Sequence, residues 1–315
     1  MSDSYTILVP RQFSSIERYF QMFLLDRESE NCTPKTLDYY RYTVGCFVAW
    51  LLGLKITSME MLTVAQLRLY RQHLQDKGLK DTSQANYIRA AKVFLNWLTN
   101  EEGVEMVSPK KLKMPRHEER VPDPFEREDI DKLLRACDRK TALGARNYAI
   151  IMSLLDSGLR LEELVQLQVG SVNMKSGLLM VKGKGRKYRE ARLHPETRQA
   201  IGKMLMYRSS ISPDAPMWVG FDHNTKQEIG PLKGKGIQEM LRKIGIKAGV
   251  HPCSPHRFRR TFALWSYRLG NDIYALQALM GHSNLIVLQR YIKLAGLDVE
   301  KAHKAYGPLG YYLGK

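Results

Sequence analysis

Through the first hundred residues, apolar positions recur every three or four places. Leu37, Tyr40, Val44, Phe47, Val48 and Leu51 fall on one helical stripe. Thr33-Pro34 ahead of them supplies an N-cap followed by proline at the first helical position, where its missing N–H is not needed. Thr63 opens another helix, which Gly78 can close. Ser83 is expected to cap a further one, with Tyr87, Ala91, Phe94, Leu95 and Leu98 on one stripe and Arg89 and Lys92 on another. Residues 13–30 are expected to form the first helix. The aromatic stripes read as core packing, and the pattern predicts a helical bundle over residues 12–101.

The periodicity lapses between 102 and 124, where Gly103, Pro109, Pro115, Pro122 and Pro124 indicate a linker. It resumes with an amphipathic helix, Glu126–Cys137, then helices over 147–158 and from Leu161. Two β-like runs, Leu178–Val181 and Tyr188–Leu193, flank Gly-Lys-Gly-Arg-Lys and predict a hairpin with a basic tip. Helices follow at about 195–209, 234–248, 256–269, 272–281 and 284–294. Ser254-Pro255 precedes the third of these, and Asp272 and Ser283 are suited to cap the last two. A short helix is expected over 296–307. The expected fold is mainly α with a small β-sheet (α+β): a helical domain at 12–101, a linker at 102–124, a second domain at 125–306 and a tail at 307–315.

Composition narrows the function. A 315-residue chain with 44% hydrophobic residues can build real cores, which excludes general disorder. Its longest apolar run, Phe47 to Leu54, falls well short of the roughly 18 residues of a membrane span, so no membrane partner is expected. The N-terminal residues lack the basic-then-apolar order of a secretory signal. Cys32, Cys46, Cys137 and Cys253 are scattered without a CxxC pair, which points to a reducing, cytoplasmic location rather than a disulfide scaffold. The net charge of +17 points to a polyanion, with nucleic acid the leading candidate. The excess is uneven: residues 1–121 hold 17 Lys and Arg against 14 Asp and Glu, and residues 122–315 hold 32 against 18.

The second domain also carries one coherent set of reactive groups. His256 and Arg259, three apart on a predicted helix, share a face near its N-terminus, where amide N–H groups favour anions. Arg160 follows Gly158-Leu159 at a helix junction, Lys184 sits at the hairpin tip, His282 ends a helix and Tyr291 lies nine residues later. Arginines grip phosphate through paired hydrogen bonds, and a tyrosine hydroxyl can act as a covalent nucleophile. Together these groups make a phosphoryl-transfer site that needs no metal. His251, Cys253 and His256 offer a rival metal trio, but the segment is interrupted by proline and shows no fourth ligand.

The order of these pieces carries a resemblance. SGLRLEELVQL around Arg160, VKGKGRKYREARL around Lys184, SPHRFRRTFA around His256 and Arg259, and LMGHSNLIVLQRYI with His282 and Tyr291 resemble the catalytic domain of the tyrosine recombinases, the phage integrase family. Residues 13–101 resemble the core-binding domain that precedes it. Two departures stand out: the family often has histidine after the second arginine, where this chain has Arg260, and position 257 is also arginine.

The resemblance implies a site-specific recombinase that cleaves and rejoins duplex DNA at paired inverted-repeat core sites, through a 3′-phosphotyrosyl intermediate and a Holliday junction. It implies Tyr291 as nucleophile, Arg160 and Arg259 on the phosphate oxygens, Lys184 as proton donor to the leaving oxygen, His256 in proton transfer and His282 bonded to the phosphate. Glu163 is expected to be a buried structural partner. DNA contacts are expected from Arg89, Lys92, Lys182, Arg186, Lys187, Arg257 and Arg260. No cofactor is implied. A tetramer on DNA and an accessory directionality factor are the expected protein partners. The motif details suggest a mobile element, and no arm-binding module is expected before residue 12. A type IB topoisomerase shares the chemistry, but the two-domain size, the short interval from His282 to Tyr291 and the tail favour a recombinase. A DNA-binding regulator that has lost catalysis is disfavoured because every expected catalytic position is filled.

Overall fold

Local sequence sets the helix starts in the first part of the chain. Ser14 caps α1 (Ser15–Ser29) in a capping box: its amide donates to Glu17 at 2.9 Å, and its hydroxyl accepts from the Glu17 amide. Thr33 caps α2 (Pro34–Gly53), with Pro34 in the first turn. Thr63 and Gln66 form the same reciprocal box at the start of α3 (Val64–Asp76), and Gly78, at φ +65°, lets the chain turn after it. The last helix of this group, α4 (Asp81–Asn100), starts earlier than expected. Its cap is Lys80 in extended backbone, and Ser83 lies inside the first turn. Asp81 at the helix start complements the positive end of the helix dipole, which favours the longer helix.

The computed structural model describes residues 14–115, 123–183, 188–222, 225, 227–281 and 312. The chain divides into two compact units, Met1–Arg120 and Val121–Lys315. The first is built around an aromatic cluster: Phe23 meets the rings of Tyr40, Phe94 and Trp97 edge-on at 5.3–5.5 Å. Leu51, Leu67 and Leu95 close the core around it. Part of the expected linker belongs to this core, because Val104 and Leu112 are buried there. The Val104 amide bonds the Leu98 carbonyl at 2.9 Å, folding the chain back over the end of α4.

The second unit contains α5 (Arg127–Arg135), α6 (Ala142–Ser157), α7 (Leu161–Val165), β1 (Leu178–Lys182), β2 (Tyr188–Arg192), α8 (Pro195–Leu205), β3 (Val219–Phe221), β4 (Glu228–Pro231), α9 (Gly234–Ala248), α10 (Pro255–Arg268) and α11 (Ile273–Met280). The expected hairpin is present: β1 and β2 pair antiparallel from Leu178 opposite Arg192 to Lys182 opposite Tyr188. Leu179 and Val181 point to the core while Met180 and Lys182 alternate outward. A second antiparallel pair, β3 with β4, was not expected from the sequence. Phe125 and Phe258 pack at 4.6 Å between ring centroids, joining the start of the unit to α10. Trp218 is fully buried and donates from its indole N–H to the Leu164 carbonyl at 3.0 Å, fixing the short α7 against the core. The expected helices over 284–294 and 296–307 lie outside the described residues. Among the described residues no helix is long and apolar enough to cross a membrane.

Candidate active site

The site is assembled at the end of α11. Gly158 ends α6 in left-handed backbone at φ +57° and reverses the chain, placing Arg160 at the cap of α7. A side chain could not replace its hydrogen, since a Cβ would lie 2.4 Å from the Phe262 ring. Ser254 caps α10, with Pro255 in the first turn, and Arg259 follows one turn inside. Gly281, also left-handed at φ +60°, ends α11.

Arg160 and Arg259, far apart in sequence, both reach the terminal carbonyls of α11. Arg259 is 3% exposed and donates to Met280 O at 2.6 Å and to Gly158 O at 2.5 Å. Arg160 donates to Gly281 O at 2.8 Å and more weakly to Met280 O at 3.4 Å. The carbonyl end of a helix carries partial negative charge, so it suits both cations. Arg160 keeps its Nε–H and one Nη2–H without a partner among the described residues. A half-exposed guanidinium held on one edge can bind a phosphate oxygen with the other.

Beneath them lies Glu163, buried as the sequence suggested. Its Oε1 accepts from Arg160 Nη1 at 2.8 Å, and its Oε2 accepts from the Arg160 amide and from Arg189 Nη2, each at 2.9 Å. Burial opposes its ionisation. The Arg160 amide, the charge of Arg189 and the hydrogen bonds from both guanidinium groups outweigh that effect and hold the carboxyl below its usual range. Arg189 also donates from Nη1 to the Leu279 carbonyl. Sequence reasoning missed Arg189; its place in a basic hairpin says nothing of the direction its side chain takes.

His256 is exposed in the first turn of α10, one turn from Arg259. Lys184, Arg186, Lys187, His282 and Tyr291 lie outside the described residues. Lys182, at the end of β1, is exposed. In the first unit Arg89 is exposed and donates to Asn86 at 2.9 Å, and Lys92, on the same helix, is half-buried. Arg260 is half-buried.

Arg257, expected as a DNA contact, is engaged within the second unit. Its guanidinium bonds the carbonyls of Asp123, Pro252 and Pro124 at 2.9–3.2 Å and Asp129 at 3.3 Å, and sits 4.1 Å from the Phe125 ring centroid. Those partners turn it inward, where it ties the start of the second unit to α10. Among the described residues no group of three or more His, Cys, Asp or Glu is gathered for a metal. His251 and His256 are exposed while Cys253 is buried.

In fold, the chain is similar to the crystal structure of XerH site-specific recombinase bound to palindromic difH substrate. The TM-score is 0.68 at 19% identity, covering 90% of this chain and 83% of that one. Residues 124–296 match the phage integrase family and residues 16–102 match the phage integrase N-terminal SAM-like domain. The chain belongs to the phage integrase family, the tyrosine recombinases. It is 28% identical to tyrosine recombinase XerC of Haemophilus influenzae over 283 residues, covering 89% of this chain and 92% of the relative. It is also 28% identical to tyrosine recombinase XerD of Chlorobaculum tepidum over 303 residues, covering 94% and 97%.

Proposed function

We propose that the protein is a tyrosine-type site-specific recombinase that exchanges strands between paired inverted-repeat core sites in duplex DNA. The observation that carries this reading is the convergence of Arg160 and Arg259 on the last carbonyls of α11, immediately before His282. Two guanidinium groups fixed there would hold the non-bridging oxygens of one phosphate and stabilise the charge that builds up on them in the transition state. The Tyr291 hydroxyl would attack phosphorus, passing its proton toward His256. The bond to the 5′-oxygen would break, with Lys184 protonating that oxygen and His282 bonding the phosphate. The product is a 3′-phosphotyrosyl link and a free 5′-hydroxyl. Attack by the 5′-hydroxyl of a partner strand reverses the step and gives a Holliday junction. The phosphodiester energy is kept in the tyrosyl link, so neither ATP nor a metal enters the scheme. Two cleavages on each of two sites call for a tetramer on DNA, and an accessory directionality factor would bias the outcome.

The test is a nicked duplex, made from inverted repeats flanking the coding region, that traps the covalent product. Wild-type protein should form a denaturant-stable adduct, whereas Tyr291→Phe should bind the same DNA with similar affinity and form none. Adducts persisting in that variant would sink the proposal.

A further inference from the structure

On the recombinase reading of this site, we propose that Arg189 is a positioning residue for DNA cleavage, aiming Arg160 through Glu163 and fixing the end of α11 through the Leu279 carbonyl. Arg189 is the second residue of β2, opposite Val181 and shortly after Lys184 in the sequence. Its side chain is 14% exposed, and both terminal nitrogens are directed into the protein. Nη2 meets Glu163 Oε2 at 2.9 Å, and Nη1 donates to the Leu279 carbonyl. One planar fork thus bridges three segments: β2, the start of α7 with Arg160, and the last turn of α11.

Two further contacts make this more than a surface ion pair. Glu163 is 6% exposed, and the oxygen not used by Arg189 bonds the Arg160 guanidinium at 2.8 Å, so turning the carboxylate turns Arg160. Gly281 is packed against both cations: a Cβ there would lie 3.0 Å from Cδ and Nε of Arg189 and 3.6 Å from Nη1 of Arg160. The two guanidinium groups therefore share one close backbone approach, at Gly281. Without Arg189, Glu163 would keep, among the described residues, its Arg160 partners alone, and the carboxylate torsion, which is intrinsically broad, would lose its anchor. A shift of about 1 Å in a phosphate-gripping group is enough to slow chemistry by about 100-fold. Lysine could keep the charge beside Glu163 but, as a point donor, could not span Glu163 and Leu279 as the fork does.

The experiment compares full-length wild type, Arg189→Met and Arg189→Lys on the nicked duplex. It measures adduct formation at saturating protein, DNA affinity by mobility shift, and thermal unfolding. Arg189→Met should bind DNA within about 3-fold of wild type and form adduct about 10- to 100-fold more slowly, with Arg189→Lys in between. A 5′-bridging phosphorothiolate, which relieves the need for a proton donor, should leave the deficit in place because the defect lies in gripping the phosphate. A wild-type rate for Arg189→Met would overturn the proposal. So would a rate loss that merely follows lost binding and lower unfolding temperature in both variants, or full recovery on the phosphorothiolate, which would place the effect at Lys184. If Arg189→Met does not fold, Arg189→Lys carries the test: slower cleavage at unchanged affinity and unfolding temperature supports the role, and a wild-type rate refutes it. Absence of adduct with wild type would refute the recombinase reading itself, and this proposal with it.

Discussion

Replacing Glu163 by glutamine removes one negative charge from beneath two guanidinium groups while keeping nearly the same volume. The Arg189 pair is the larger loss, because both side chains are mostly buried, at 14% and 6% exposure, and the contact is 2.9 Å. A hydrogen bond between charged groups of this kind contributes about 1.5–3 kcal/mol. The Arg160 side chain is 38% exposed, so water screens its half of the interaction, which adds about 0.2–1 kcal/mol. The expected destabilisation is therefore about 2–4 kcal/mol at pH 7. Hydrogen exchange read in peptides covering 158–167 and 273–281, across a urea series, would localise the loss to this unit. The difference should also depend on pH with a defined sign. Glu163 has a lowered pKa in the folded state, so its contribution is fully present above the ordinary glutamate value near ~4.3 and is lost as pH falls through the folded value. Wild type and variant should differ by a constant amount from pH 7 to about 5 and converge progressively as pH falls below the ordinary glutamate value through the lowered folded one. A difference under about 0.5 kcal/mol at pH 7, or one that stays constant into the acid range, would refute the charge argument.

Gly158→Ala should destabilise the second unit by about 2–4 kcal/mol, combining left-handed strain with collision against Phe262; an unfolding midpoint equal to wild type would contradict the geometry. Burial pushes the Cys137 thiol up to about 11 and the Cys253 thiol up to about 12, so brief alkylation of the native protein at pH 8 should spare both, as peptide mass spectrometry would show. Lys184→Ala should slow DNA cleavage sharply, with partial recovery on a 5′-bridging phosphorothiolate; no recovery would remove Lys184 as the proton donor.

The helix starts that the sequence revealed are those whose signal is local. Thr33-Pro34, Thr63 with Gln66, Ser254-Pro255 and Asp272 each satisfy orphan amides with residues a few places away, and each caps as expected. Ser83 misled because it is a good cap lying inside a helix whose start is decided one turn earlier, at Lys80 and Asp81. The β3–β4 pair was invisible for a different reason. Strands of three and four residues are too short to alternate, and Gly220, Gly230 and Pro231 read as loop. They pair because Trp218, Val219 and Phe221 are buried. Val104 and Leu112 are isolated apolar residues in a proline-rich stretch, so only tertiary packing reveals that they belong to the first core.

The site divides along the same line. Motif order singled out Arg160 and Arg259, and the fold brings them to one helix end. Glu163 was legible because it lies three residues from Arg160, within one helical turn. Arg189 and Arg257 were not, because charge says nothing of direction. One turns to Glu163 and Leu279, the other to Phe125 and three backbone carbonyls, and both choices depend on residues distant in the chain.

Whether Tyr291 forms the bond to DNA is read directly from the chemical identity of the adduct. Wild-type protein trapped on the nicked core-site duplex should be digested with protease and nuclease and its nucleotide-bearing peptide sequenced by mass spectrometry. A single modified peptide is expected, with Tyr291 joined through phosphate to the 3′ end of the cleaved strand. Attachment at any other residue, or to the 5′ end, would contradict it.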